Sequence, residues 1–144
     1  MYKSVWICIL FSLILSCNQI EYGNSLKQSE IEYIKSLGLL EDTEEIKKFY
    51  SEHTNEIAGN FFTNKRLAKY WIDKGDSSKN VISSAFYGDI ITIDTIYDAG
   101  LTYCPYLVVT KKDKSTFKVC VEGTKEEVKL FFEEAISNWK KAKE

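Results

Sequence analysis

Hydrophobic and polar positions divide this chain into an apolar head, a polar connector and a long patterned body. The head runs from Val5 to Leu15 without a charge, follows Lys3, and gives way at Ser16 to the polar stretch Asn18 to Gln28. That stretch has no periodicity and reads as a tether. Ser29 and Glu32 then have the spacing of a capping box, and Ile31, Ile34 and Leu37 recur at helical intervals before Gly38, predicting a short helix over 30–37. Glu44 to Tyr50 fits either a helix turn, with Ile46, Phe49 and Tyr50 on one face, or a short strand. From Gly59 onward the runs are short, β-branched and aromatic: 61–63, 67–72, 81–86 and 90–97, broken by turn-forming residues at 63–65, 74–78 and 87–89. Residues 106–111 and 116–122 predict a hairpin about Lys112, Asp113 and Lys114, with Leu107, Val109, Phe117, Val119 and Val121 on its buried face. A second capping box, Thr124 with Glu127, opens the last segment. Val128, Phe131, Phe132, Ala135, Ile136 and Trp139 there form one helical stripe, with acidic residues at its start and Lys140, Lys141 and Lys143 at its end.

The head is too short to span a bilayer, which takes about 20 apolar residues, and its lone preceding cation and small residue before the cut are those of a secretory signal. Ile14-Leu15-Ser16-Cys17 resembles the bacterial lipobox, which implies a signal peptide over 1–16 and a mature chain that begins on a lipidated Cys17. Residues 17–28 would then be the tether and 29–144 a single domain with an N-terminal helix. Such a protein belongs to the bacterial cell envelope, held to a lipid bilayer through acylated Cys17 and facing the periplasm or the exterior.

Charge narrows the function. The chain has 19 basic and 21 acidic side chains and a formal net charge of −2, so it lacks the basic footprint of a nucleic-acid binder. His53 is the one histidine, set between Glu52 and Glu56 in a polar stretch where a solvated role is expected, and no metal site, cofactor motif or catalytic residue stands out. Asp94 with Asp98, and Glu44 with Glu45, look like solvated carboxylates at element ends. Arg66, the lone arginine, suits a structural pairing with a carboxylate such as Asp89 or with loop carbonyls. Trp71 and Trp139 are expected in the core. Cys104 and Cys120 share a face of the predicted hairpin but stand two residues out of opposition, about 7 Å apart, so a disulfide is not expected.

Seven short strands followed by one amphipathic helix is the order of a pleckstrin-homology-like (PH-like) domain. Gly59-Asn-Phe-Phe-Thr-Asn-Lys-Arg-Leu-Ala-Lys-Tyr-Trp-Ile72 resembles a strand-turn-strand signature of bacterial PH-like domains, and Ile82-Ser-Ser-Ala-Phe-Tyr-Gly-Asp-Ile-Ile-Thr-Ile93 resembles the stretch that follows it. The resemblance spans about 44–141 and implies an α+β, mainly β fold: a barrel of about seven antiparallel strands capped by the C-terminal helix, with Glu44 to Tyr50 as the first strand. It also implies a binding module without enzymatic activity. Phosphoinositide-binding members place cations in the loop after the first strand, whereas 51–58 here carries Glu52 and Glu56 and no lysine or arginine. The expected function is a membrane-tethered, non-catalytic module with a protein or peptide partner. The alternatives are a small secreted carboxylate-dependent enzyme and an inhibitor or immunity-type lipoprotein. A cleft joining His53 to buried carboxylates would favour the enzyme, and an exposed aromatic patch or open strand edge the binder.

Overall fold

The structure, a computed structural model, describes residues 19–144, so the expected signal peptide over 1–16 and Cys17 lie outside the described residues. Eight strands and two α-helices follow in the order β1 (Glu21–Tyr22), α1 (Gln28–Ser36), β2 (Ile46–Tyr50), β3 (Ala58–Thr63), β4 (Arg66–Trp71), β5 (Val81–Phe86), β6 (Ile90–Ile96), β7 (Tyr106–Lys111), β8 (Thr116–Cys120) and α2 (Lys125–Lys141). All pairings are antiparallel. They form a five-stranded sheet, β1-β2-β3-β4-β5, and a three-stranded sheet, β6-β7-β8.

The expected closed barrel is instead an open sandwich of two sheets. Its two sheets part where β5 meets β6, because the turn Tyr87–Asp89 takes the chain from one sheet to the other. That corner is anchored: the Tyr87 amide donates to the Lys65 carbonyl, and the buried Tyr87 hydroxyl donates to the Thr63 carbonyl. Between the sheets, the Asn60 side-chain oxygen accepts from the Cys120 amide at 3.0 Å, so a buried amide of β3 is satisfied across the sandwich.

Alternation along β2, β3 and β4 sends side chains to two cores. Tyr50, Phe62 and Leu67 face the second sheet and α2, with Leu107, Val109, Val119, Phe131 and Phe132. Phe49, Phe61, Ala68 and Tyr70 face the opposite way and are covered by Leu26, Ile34, Leu39 and Leu40. All six residues of β3 are consequently buried. A sheet covered on both faces reads as a continuous apolar run rather than an alternating one, as Phe61 and Phe62 do.

This second core corrects the expected tether. Glu21 and Tyr22 pair with Phe49 and Lys48, and Leu26 is buried, so the described part of 17–28 belongs to the fold. A strand of two residues is too short to show a period of two. Helix α1 also starts earlier than the Ser29–Glu32 box implied. Glu30 reaches back to the Lys27 amide at 2.7 Å, which makes half of a capping box, since lysine offers no acceptor for the other half. Gly38, at φ +74°, ends the helix as expected.

The hairpin has the predicted register, Val109 opposite Phe117 and Leu107 opposite Val119. Helix α2 opens on the predicted Thr124–Glu127 box, buries Val128, Phe131, Phe132 and Ala135, and is tied to the first sheet by Lys48 and Glu134 at 3.0 Å. Gly59 marks the tightest approach of ring to backbone. A Cβ there would stand 2.8 Å from the Phe49 ring and closer still to that of Tyr70. Gly59→Ala is expected to cost about 1–3 kcal/mol through overpacking, read as a lower urea midpoint at unchanged m.

Candidate functional site

Arg66 has the structural role expected of it, with a different partner. Its Nε and Nη2 donate to Glu44 Oε1 and Oε2, both at 2.8 Å, and the guanidinium lies 4.1 Å from the centre of the Phe86 ring. Glu44 also accepts from Thr63 Oγ1 at 2.6 Å and from the Glu41 amide at 3.0 Å. Burial presses its carboxyl pKa upward as the largest single influence, but the bonds from Arg66, Thr63 and Glu41, with the Arg66 charge, outweigh it and leave the pKa below the ordinary carboxylate range. The pair therefore joins the segment before β2 to the β3–β4 turn. Asp89, the partner suggested by the sequence, instead accepts the Lys112 amide through its carbonyl. Glu44 is also not the solvated carboxylate expected; Glu45, Asp94 and Asp98 are exposed.

The loop after β2, 51–58, is fastened to its surroundings at several points, while Glu52, His53, Thr54 and Glu56 stay exposed. Asn55 donates to Glu30 at 2.9 Å, Tyr33 donates to the Glu56 carbonyl at 2.8 Å, and the Glu56 carboxylate pairs with Lys74 at 2.9 Å. The Lys74 bond holds the Glu56 pKa below its usual value. His53 meets the Trp71 ring edge-on, with centroids 6.3 Å apart.

Trp71 is not the core residue expected. It is 38% exposed, because β4 runs past the cover of the second sheet, and the series on that face goes from buried Leu67 through half-buried Lys69 to Trp71. Opposite it on β5 is Val81, 44% exposed, followed by Ile82 at 45%. β5 is a terminal strand of its sheet, so it is an open edge flanked by Trp71 and Val81 on one face and by Ile82 on the other. Sequence pattern alone reads Val81 to Phe86 as an ordinary strand; only the sheet order shows that it has a free side. Trp139, the other tryptophan expected in the core, is half-buried against it, with Lys143 4.0 Å from its ring centre.

Cys104 and Cys120 form a disulfide, with Cα atoms 5.8 Å apart, against the expectation. The predicted register holds, with Tyr106 opposite Cys120, but Cys104 lies before the start of β7, ahead of Pro105, where the chain is free to swing inward of the 7 Å diagonal of a regular ladder. Glu52 lies beside this pair in an arrangement that could suggest a metal site, but the two sulfurs are bonded to each other and Glu52 is left as the single donor. A groove of about 640 Å³ opens between the start of α2 and the loop after β6, lined by Tyr97, Asp98, Pro105, Gly123, Val128 and Lys129.

No protein-family model matches the chain, and no curated protein matches it. Among solved structures it is similar to a DUF1696 family protein with a pleckstrin-homology domain from Shewanella loihica PV-4. The TM-score is 0.52 at 19% sequence identity, over 76% of this chain and 91% of that one. The likeness is one of fold, and it makes the chain PH-like. At that identity the likeness carries the fold alone, and any role has to be argued from this chain's own surface.

Proposed function

We propose that this protein is a membrane-tethered, non-catalytic binding module of a bacterial cell envelope, held to the bilayer through acylated Cys17, facing the periplasm or the exterior, and offering its β5 edge to a protein or peptide partner. The observation that carries the reading is the open edge itself, with Trp71 and Val81 exposed on one face of the sheet and Ile82 on the other. A terminal strand offers unpaired backbone groups to an added strand, and apolar side chains beside it supply the contact area. The enzyme alternative calls for His53 beside buried carboxylates. Among the described residues Glu44 is the one buried carboxylate, and it is spent on Arg66, while His53 lies against Trp71.

Capture from native membranes tests the reading. The intact chain is compared with a double variant, Val81→Lys with Ile82→Lys, whose exposed positions leave the fold unchanged by circular dichroism. The expected result is loss of about tenfold or more of the specifically retained partner in the variant. Equal retention by both would contradict the assignment of the edge.

A further inference from the structure

We propose that the loop from Tyr97 to Pro105, with Leu101 at its tip, is the surface on which the domain seats against the lipid bilayer. The inference rests on the reading of Cys17 as the acylated residue. Its structural basis is the lack of slack between that residue and the fold. Ile20 already packs against the larger core, and Glu21 is already paired with Phe49. Cys17 to Ile20 is three residues, which reach about 10 Å fully extended. A headgroup layer is itself about 5–8 Å thick, so the end of the domain that carries Ile20 must meet the membrane surface.

That end is identifiable. The Ile20 Cδ1 lies 3.6 Å from where a Cβ on Gly123 would stand, and Gly123 lines the same groove as Tyr97, Asp98 and Pro105. The chain's entry and the loop after β6 are thus neighbours, whereas the Lys112–Lys114 turn lies at the other end of β7. The loop has the composition of an interfacial contact. Leu101 is fully exposed and Tyr103 is 66% exposed. The Lys118 amine lies 5.7 Å from the Tyr103 ring centre and 4.5 Å from that of Tyr106, and Lys125 and Lys129 stand on the first turns of α2. An apolar tip, amphipathic tyrosines and snorkelling lysines suit the boundary between headgroups and acyl chains. Asp98 and Glu122, also at this end, keep it from being a purely cationic patch, so the contact is with the bilayer interface rather than with a particular anionic headgroup. The disulfide fastens the loop's far end to β8, which holds Tyr103 in place beside the strand.

The test uses the full chain isolated from bacterial membranes, carrying an environment-sensitive fluorescent amino acid at position 101 or, in a second preparation, at exposed position 112. Both are reconstituted into phosphatidylethanolamine and phosphatidylglycerol vesicles that contain nitroxide-labelled lipid. Position 101 should be quenched about threefold or more over position 112, with a blue-shifted emission. The intact mass of the same samples reports whether Cys17 carries acyl chains. Acylated protein with equal quenching at both positions overturns the seat and leaves the anchor standing. Protein without acyl chains overturns the anchor, and the seat with it.

Discussion

Glu44→Ala is expected to destabilise the protein by about 3–5 kcal/mol, because it strands the Arg66 guanidinium in a site built for a carboxylate. The Glu44 side chain is 0% exposed and that of Arg66 5%, so water cannot take over the lost contacts without opening the fold. Glu41 remains 3.8 Å from Arg66 Nη2, but at the rim, where half-exposure weakens its help. Replacing both partners with apolar residues of similar size should cost less than either single change, since no charge is then left buried. Acid makes the same point. Glu44 has a folded pKa below its ordinary value of 4.5, so its contribution is complete above that pH and is lost as pH falls through the folded value. Urea unfolding from pH 3 to 7 should therefore show a gap between wild type and Glu44→Gln that narrows in acid. A constant gap would mean that charge is not what this carboxylate contributes.

Phe131→Ala should be comparably severe, about 3–5 kcal/mol, as the removal of a fully buried ring. Phe131 is 0% exposed and meets Phe62 edge-to-face at a centroid distance of 5.1 Å, with Phe132 at 6.2 Å. It is the point at which α2 closes on the first sheet. Leu130→Ala, one position along and 51% exposed, should stay within about 0.5 kcal/mol. Trp139→Ala should fall between the two, since the indole is half-buried and its Nε1 has no hydrogen-bond partner among the described residues. Denaturant midpoints for the three variants give the order directly.

The contrast between residues 130 and 131 shows what the sequence could disclose. The α2 stripe, the Thr124 cap and the β7–β8 register follow from local spacing, and local spacing is visible along a chain. The resemblance added the PH-like fold and the reading of Glu44 to Tyr50 as a strand. What stayed hidden were relations between distant segments. Nothing near Glu44 marks it as the partner of Arg66, 22 residues on, because the bond depends on how the β3–β4 turn meets the segment after α1. The cover of Leu26, Leu39 and Leu40 over Phe61 and Tyr70 was likewise illegible, being carried by a two-residue strand and irregular chain. The disulfide escapes a regular-ladder reading because the β7 ladder begins only at Tyr106, after Pro105. Trp71 was misplaced for a related reason: alternation assigns a face, while exposure depends on how far the opposing sheet extends. The candidate binding edge was therefore visible as a strand but not as an edge.

The proposed anchorage at Cys17 is tested most directly by the intact mass of the protein recovered from native membranes, with Cys17→Ser as the control. The predicted result is a chain that begins at Cys17, carries acyl chains and partitions with membranes, while Cys17→Ser is released or accumulates unprocessed. A wild-type protein that retains Met1, bears no acyl group and fractionates as its Cys17→Ser counterpart does would contradict it.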